Sequence, residues 1–397
     1  MKTEIFAAVL AFCVCSGSAL AVSQAPSFQF LQKPGPYPVG LKVVNQYDRS
    51  RTYPASSKAP SSEKGRPLQT LIWYPSLPNA DTAMTVGDYV QLADSEIHFN
   101  APDSKDNRWR SLLQTSFDDR LWAVRDAVPA KGRFPIVIYA PSDSSVSWEN
   151  ADLCEYLASH GYVVLASPAL GVSTRDMKDD LDGINAQARD ISFLISYAIS
   201  LSDADPLRVA VVSWSWGGIS SLFAAARNPR IAALVEMDGS IRYYPGLVKR
   251  AADVHPERMI IPLLCFIRNV SLEDLEKDGV PPADKVGPNV LNAWKRGDLL
   301  TVNMLGMAHP EFSSMFQRRE HERRFAENQV ADYDRADANT SYAWVALYTL
   351  NFLNMHLKSD AAAETFLQRT PAENGAPRHF MAVMFSPAQD LPDADSK

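Results

Sequence analysis

Cysteine is scarce in this sequence, with 4 residues in 397, and two of them, Cys13 and Cys15, lie close to the N-terminus. The other two, Cys154 and Cys265, lie within apolar patterns, so we predict that both are buried free thiols. No pair of cysteines has the spacing of metal ligands. The sequence therefore indicates neither a disulfide framework nor a cysteine-ligated metal site.

An excess of positive charge is also lacking, because 39 Lys and Arg oppose 46 Asp and Glu for a net charge of -7. The basic residues are dispersed, which gives no electrostatic footprint for nucleic acid or an anionic membrane. No H-E-x-x-H pair and no phosphate-binding glycine loop is present. We expect no metal or nucleotide cofactor and no nucleic-acid partner.

Long apolar stretches are confined to the N-terminus. A Met-Lys start precedes the apolar residues 5–14, and an A-x-A sequence ends at Ala21. This order is typical of a secretory signal peptide and too short for a membrane span. We predict a signal peptide over residues 1–21, a mature chain from Val22, and a secreted or periplasmic location. A lipid anchor on Cys13 is the alternative, although Phe12 stands where a small residue is expected.

Strand-like apolar runs alternate with helical patterns along the rest of the chain. This alternation is typical of βαβ units and predicts an α/β fold with a mainly parallel eight-stranded sheet flanked by helices. Several runs are continuous in Val, Ile and Leu, as expected for strands buried on both faces. The predicted strands are residues 39–44, 68–73, 134–140, 162–166, 208–213, 231–237, 259–267 and 299–305. The predicted helices are residues 150–160, 184–201, 217–228 and 342–358.

Two segments break the alternation and are predicted insertions, residues 75–133 after the second strand and 271–297 after the seventh. Segments this long often carry function or helices of their own, so either insertion could cover a pocket as a lid. The alternative is a scaffold extension that shields an edge strand. We predict a surface extension over 22–37, one domain over 38–365 and a C-terminal tail over 366–397.

The most informative stretch is a buried strand that runs through Ser215 into an apolar helix. In a nucleophile elbow the central serine occupies a strained tight turn, so small residues are needed two positions before and two after it. Ser213 and Gly217 meet this need, although glycine is more usual at the first position. The stretch predicts that Ser215 is a nucleophile.

A serine nucleophile needs a general base and an acid that holds the base. In a fold with this elbow the acid follows a later strand and the histidine follows the last one. Asp238 directly follows predicted strand 231–237, and His309 follows predicted strand 299–305. We predict Asp238 as the acid and His309 as the base.

Some of these positions have other interpretations. Most Asp-Gly pairs are turns, so Asp238 by itself indicates only a turn. Glu236 lies nearby, but strand alternation points it into the packing rather than towards the crevice. The remaining histidines lie in insertions, connections or helices; His160, for example, lies near a helix C-terminus, where its charge complements the helix dipole. None of them has the strand-end position of His309.

Acyl transfer also requires N–H donors for the negative oxygen that develops on the substrate. One predicted donor is the backbone N–H of Trp216, directly after the nucleophile. The other is expected from the loop after predicted strand 134–140, where Pro141 has no N–H and leaves Ser142 or Asp143. Trp148, Trp214 and Tyr243 lie in the motif loops. They are predicted to line a substrate pocket, with the core as the alternative.

Taken together, these motifs resemble the secreted dienelactone-hydrolase-like and platelet-activating-factor-acetylhydrolase-like branch of the α/β hydrolases. The similarity covers most of residues 35–365 and includes the elbow. The resemblance implies an α/β-hydrolase fold with Ser215, Asp238 and His309 as its triad and Asp143 and Trp216 as oxyanion donors. Family members commonly carry a His-Gly pair where this chain has Pro141 and Ser142. The other matching segments are residues 35–40, 72–75, 155–164, 237–239, 309–312 and 353–360.

The function predicted from the sequence is a secreted serine hydrolase that cleaves a small-molecule or lipid carboxylic ester. Amide or peptide cleavage is one alternative, because the same triad serves both reactions. The sequence has no repeat that would indicate an added propeller domain. A non-catalytic binding protein that keeps the fold is the second alternative.

Overall fold

A computed structural model describes residues 28–54, 65–78, 80–100, 102, 107–271, 275–276, 279–281, 284–285, 287–319 and 333–391. The predicted signal peptide over residues 1–21 lies outside this part of the chain. The predicted surface extension is described from Phe28, whose buried ring lies 5.5 Å from the ring of Tyr342. The described end of the extension is therefore attached to the domain.

One sheet of ten strands forms the centre of the described structure. The six neighbouring strands from β5 to β9 are parallel, in the order β5-β4-β6-β7-β8-β9. Antiparallel pairing adds β2 and β1 at one edge, where β3 follows, and β10 at the other. The strands are β1 (Val39–Thr52), β2 (Gly65–Pro75), β3 (Ala123–Arg125), β4 (Phe134–Ala140), β5 (Val163–Ala166), β6 (Ala204–Trp214), β7 (Ile231–Met237), β8 (Leu263–Arg268), β9 (Leu299–Met304) and β10 (Met381–Ser386).

The prediction of eight strands is too low by two. Each of the eight overlaps an observed strand, but β3 lies within the predicted insertion 75–133 and β10 lies within the predicted tail. Both are edge strands, and β3 has only three residues. The three residues of β3 are too few to give a pattern, whereas the apolar run 381–385 of β10 was a usable signal. The domain therefore continues beyond residue 365.

Helices cover both faces of the sheet, and each face has its own apolar cluster. Alternate residues of β4 divide between them, since Val137 and Tyr139 belong to one cluster and Ile136 and Ile138 to the other. This is the alternation that a strand buried on both faces must show. The α-helices are Val86–Leu92, Trp109–Leu112, Ala151–Ser159, Leu181–Ala198, Trp216–Arg227, Pro245–Arg250, Val290–Ala293, Ser314–Gln317, Arg335–Lys358 and Ala361–Gln368.

Aspartates begin two of the long helices. The side chain of Asp180 accepts a hydrogen bond from the Gly183 N–H at 2.9 Å, and Asp334 forms a capping box with Asp337. Both satisfy N–H groups that have no partner within the helix. Among the described helices, none is long and apolar enough to cross a bilayer.

The described part of insertion 75–133 packs on the core. The Trp73 indole N–H donates to the Tyr89 hydroxyl at 2.8 Å, and that hydroxyl donates to the Glu155 carboxylate at 2.6 Å. All three side chains are buried. Cys154 and Cys265 are buried free thiols, as predicted.

Candidate active site

Ser215 occupies a strained turn between β6 and the helix Trp216–Arg227. Its φ is 54°, a left-handed value that L-residues adopt at a cost. Its N–H donates to the Met237 carbonyl at 3.2 Å, which joins the turn to the end of β7. Gly217 lies so close to β4 that a Cβ there would be 2.2 Å from the Ala140 carbonyl oxygen. Only glycine allows this approach, as the elbow pattern requires.

The structure brings Ser215, His309 and Asp238 together at the carboxyl ends of the parallel strands. His309 Nε2 lies 2.8 Å from Ser215 Oγ, and His309 Nδ1 lies 2.6 Å from Asp238 Oδ2. The His309 side chain is 33% exposed, whereas that of Asp238 is 0% exposed. A half-buried hydroxyl is thus connected through an imidazole to a buried carboxylate.

Asp238 has two further partners. Its Oδ1 accepts the Tyr243 hydroxyl at 2.7 Å, and its Oδ2 accepts Arg268 Nε at 2.8 Å. Burial by itself would raise the pKa of Asp238, but the hydrogen bond and charge of His309, together with Arg268 and Tyr243, lower it well below its usual value. Asp238 is therefore a carboxylate at neutral pH and can fix the orientation of the imidazole.

His309 is held from both sides. It begins the 3₁₀ turn His309–Phe312, and the Trp214 ring lies 5.2 Å from the imidazole at a 35° tilt. Just before the histidine, the Ala308 N–H donates to Glu311 Oε2 at 2.7 Å. Burial raises the pKa of Glu311 to about 7. Packing and this capping bond restrict the turn that carries the base.

The candidate oxyanion donors differ in their surroundings. The N–H of Trp216 belongs to the first helical residue, where N–H groups lack intrahelical acceptors and the helix dipole favours negative charge. The N–H of Ser142 already donates to Glu149 Oε1 at 2.7 Å. The Ser142 N–H is thus not free to bind a substrate oxygen. The sequence had left Ser142 and Asp143 as the two candidate donors of this loop. Of the two residues predicted for this loop, Asp143, which is exposed, remains the candidate donor.

The three aromatic side chains predicted to line a pocket are buried, at 0% exposure for Trp148, 2% for Trp214 and 9% for Tyr243. Trp148 packs in the core, with its ring 5.4 Å from that of Trp109. The Trp214 ring packs against the His309 imidazole, and the Tyr243 hydroxyl donates to the Asp238 carboxylate. All three side chains therefore lie in the packing, which was the alternative to a pocket lining. Residue type and loop position did not reveal the groups that they contact.

Sequence reasoning missed Arg268 and did not assign a role to Glu236. Arg268 ends β8 beside β7, so its position at the carboxyl end of a parallel strand was a usable signal. Glu236 lies in the packing, as strand alternation indicated; a Cβ on Gly218 or Gly239 would be 2.1 or 2.0 Å from its Oε2. Burial raises the pKa of Glu236 to about 8, so it is mostly protonated at neutral pH.

The described residues contain no group of three or more His, Cys, Asp or Glu side chains arranged to hold a metal ion. The side chains gathered around Ser215 are a hydroxyl, an imidazole, a carboxylate and a guanidinium. This set is suited to moving a proton away from the serine hydroxyl. The arrangement can therefore support nucleophilic attack by Ser215.

Comparison with known proteins finds no matching family model and no matching curated protein. Among solved structures, the chain is similar to a ferulic acid esterase from Streptomyces cinnamoneus, with a TM-score of 0.61 and 22% identity. The match covers 90% of this chain and 100% of that chain. At this identity the similarity concerns the fold, and the chain has an α/β-hydrolase-like fold. The narrower dienelactone-hydrolase-like and acetylhydrolase-like family stays a resemblance.

Proposed function

We propose that this chain is a serine hydrolase that cleaves carboxylic esters through an acyl-enzyme on Ser215. The observation that carries the proposal is the continuous hydrogen-bonded line from the buried Asp238 carboxylate through His309 to the Ser215 hydroxyl. The strained backbone at Ser215 and the fold similarity to a solved esterase support it.

In the first half-reaction Ser215 Oγ attacks the ester carbonyl carbon and transfers its proton to His309 Nε2. The tetrahedral intermediate then expels the alcohol, which receives that proton from Nε2. In the second half-reaction a water gives a proton to Nε2 and adds to the acyl carbon. The carboxylic acid leaves as the proton returns to Ser215 Oγ. Asp238 accepts the Nδ1–H, which keeps Nε2 free to take the serine proton.

The negative oxygen of the intermediate would lie against the N–H of Trp216 and the N–H of Asp143. Loss of one such donor typically costs about 3 kcal/mol of transition-state stabilisation. Since one solved structure with a similar fold is a ferulic acid esterase, an aromatic acyl ester belongs in the test beside aliphatic and lipid esters.

The test compares purified wild-type protein with the Ser215→Ala variant on aryl esters of increasing acyl length, a feruloyl ester, and anilides with matched acyl groups. We expect ester turnover by the wild type and a loss of at least about 1,000-fold in Ser215→Ala. Ser221→Ala is the control, because it removes another buried hydroxyl from the helix that follows Ser215. Its turnover should match that of the wild type.

Three results would contradict the proposal. Full ester turnover by Ser215→Ala would exclude Ser215 as the nucleophile. Faster cleavage of anilides than of matched esters would favour the amidase alternative. Folded wild-type protein without any turnover would favour a binding protein with this fold.

We also propose that the protein is exported, on the basis of the charged start, apolar stretch and A-x-A sequence of residues 1–21. N-terminal sequencing of protein recovered from the secreted or periplasmic fraction should begin at Val22. Recovery of the chain with its first residues intact in the cytoplasm would contradict this proposal.

A further inference from the structure

A buried carboxyl group holds the loop that follows β4. Glu149 Oε1 accepts the Ser142 N–H at 2.7 Å and the Tyr139 hydroxyl at 2.8 Å, and Oε2 accepts the Ser142 hydroxyl at 2.8 Å. The Glu149 side chain is fully buried. One carboxyl group therefore binds the N–H and the hydroxyl of Ser142, the residue just before the candidate oxyanion donor Asp143.

The backbone of Glu149 is attached to the segment that follows His309. The Glu149 carbonyl accepts the Ser313 hydroxyl at 2.6 Å and the Met315 N–H at 3.1 Å. These bonds connect the loop after β4 to residues four and six positions beyond the candidate base. The loop that supplies an oxyanion donor and the turn that supplies the base are thus joined through Glu149.

Asn150 strengthens the same connection with four hydrogen bonds. Its Nδ2 donates to the Tyr139 hydroxyl at 2.8 Å and to the Phe312 carbonyl at 2.9 Å. Its Oδ1 accepts the Ser314 N–H at 2.8 Å and the Tyr342 hydroxyl at 2.7 Å. Both N–H donors and both oxygen lone pairs of this buried amide are thereby used, and a network satisfied to this degree is rigid.

The bonds to Ser142 decide which N–H groups of the loop are free. Pro141 has none, and the Ser142 N–H points to Glu149. The next N–H along the chain belongs to Asp143. We propose that Glu149 is a positioning residue that sets the orientation of this loop and thereby directs the Asp143 N–H towards the substrate oxygen. This inference rests on the proposed function.

Three substitutions separate this role from simple burial. Glu149→Gln keeps the carbonyl oxygen that accepts the Ser142 and Tyr139 protons, and its amide can donate to the Ser142 hydroxyl. Glu149→Ala removes all three bonds. Glu149→Asp keeps a carboxyl group but draws it back by one methylene, so it should fold in the event that Glu149→Ala does not.

The measurement is kcat and KM for an aryl ester, with kcat expressed per active site after titration to completion with a fluorophosphonate. A purely structural defect lowers the number of active sites, whereas a misplaced donor lowers kcat per site. We expect Glu149→Gln to lie within about 3-fold of wild type and Glu149→Ala to lose about 30- to 100-fold in kcat per site. Glu149→Asp should lose about 10-fold, and KM should change less than about 3-fold in each variant.

Two results would overturn the inference while the proposed function stands. One is a Glu149→Ala or Glu149→Asp variant with wild-type kcat per site. The other is a Glu149→Gln variant as impaired as Glu149→Ala, because charge rather than loop position would then be the cause. Wild-type protein that neither turns over esters nor reacts at Ser215 would instead overturn the proposed function and this inference together.

Discussion

Arg268 Nε lies 2.8 Å from Oδ2 of Asp238, the same carboxylate oxygen that His309 Nδ1 contacts at 2.6 Å. The Arg268 side chain is 5% exposed and that of Asp238 is 0% exposed, so water screens this ion pair little. Together with the hydrogen bond and charge of His309, this pair keeps Asp238 ionised in the interior. Asp238 can then hold the imidazole of His309 across the neutral pH range.

Replacing Arg268 with Met should destabilise the protein by about 3 kcal/mol, because it leaves a buried carboxylate without its cation. Urea denaturation at neutral pH measures the change. Arg208→Met is the control, since Arg208 pairs with Asp205 at a partly exposed site where such a pair contributes less than about 1 kcal/mol. Equal losses in the two variants would contradict the assigned importance of the buried pair.

Asp238→Asn should lower kcat by about 1,000- to 10,000-fold at neutral pH, because an amide does not stabilise the His309 tautomer with a free Nε2. Tyr243→Phe removes only one donor to the same carboxylate and should lower kcat less than about 10-fold. Ester turnover per titrated active site measures both. A mild effect of Asp238→Asn would assign the acid role to another group.

Asp238→Asn should also lower the stability of the fold, with a dependence on pH that follows from the lowered pKa of Asp238. The folded-state pKa of Asp238 is lowered, so its ionised form stabilises the fold above the usual pKa near 3.8. That contribution is lost only as the pH falls through the lower, folded-state value. Asp238 is hence ionised wherever activity is measured.

Glu236→Gln should stabilise the protein more at about pH 8 than at about pH 5. The folded state retains the Glu236 proton up to a pKa of about 8, whereas the unfolded chain releases it near 4.5. Between these values stability falls as pH rises, and glutamine removes this loss. The gain should reach a few kcal/mol at about pH 8.

Urea denaturation at both pH values measures that gain. The control is Glu364→Gln, an exposed carboxylate whose replacement should give a pH-independent change within about 0.5 kcal/mol. A Glu236→Gln effect that is the same at both pH values would show that Glu236 does not keep its proton in the fold.

Gly217→Ala should disrupt the turn that carries Ser215. The added Cβ would lie 2.2 Å from the Ala140 carbonyl oxygen and 2.6 Å from that of Pro141, and both are backbone atoms. The helix must then move away from β4, with an expected loss of at least about 3 kcal/mol. Ala225→Gly in the same helix is the comparison variant, with an expected loss of stability of about 1 kcal/mol. Thermal unfolding compares the two, and a stable, fully active Gly217→Ala variant would contradict the close approach.

The positions of Ser215, Asp238 and His309 could be predicted because each follows a strand that is recognisable from its own residues. Chain order then assigns the three a common edge of the sheet. The partners of Asp238 were harder to predict. Arg268 carries no local motif, and its contact depends on the register between β7 and β8.

The loop after β4 shows a second feature that could not be predicted from the sequence. Excluding Pro141 as a donor needed only its chemistry, but excluding Ser142 needed its bond to Glu149 seven residues later. Trp148 looked like a pocket residue because its loop adjoins the site, yet its ring is buried against Trp109. The edge strand β10 was missed although residues 381–385 are an apolar run, because that run lies beyond the predicted end of the domain at residue 365.

The most direct test of the account is the identity of the residue that reacts with a fluorophosphonate, read by peptide mass spectrometry of the folded wild-type protein. The account predicts one adduct per chain, on Ser215, which is absent from Ser215→Ala and forms at least about 100-fold more slowly in His309→Ala. An adduct on a different residue, or folded protein that stays unmodified under conditions that label a known serine esterase, would contradict it.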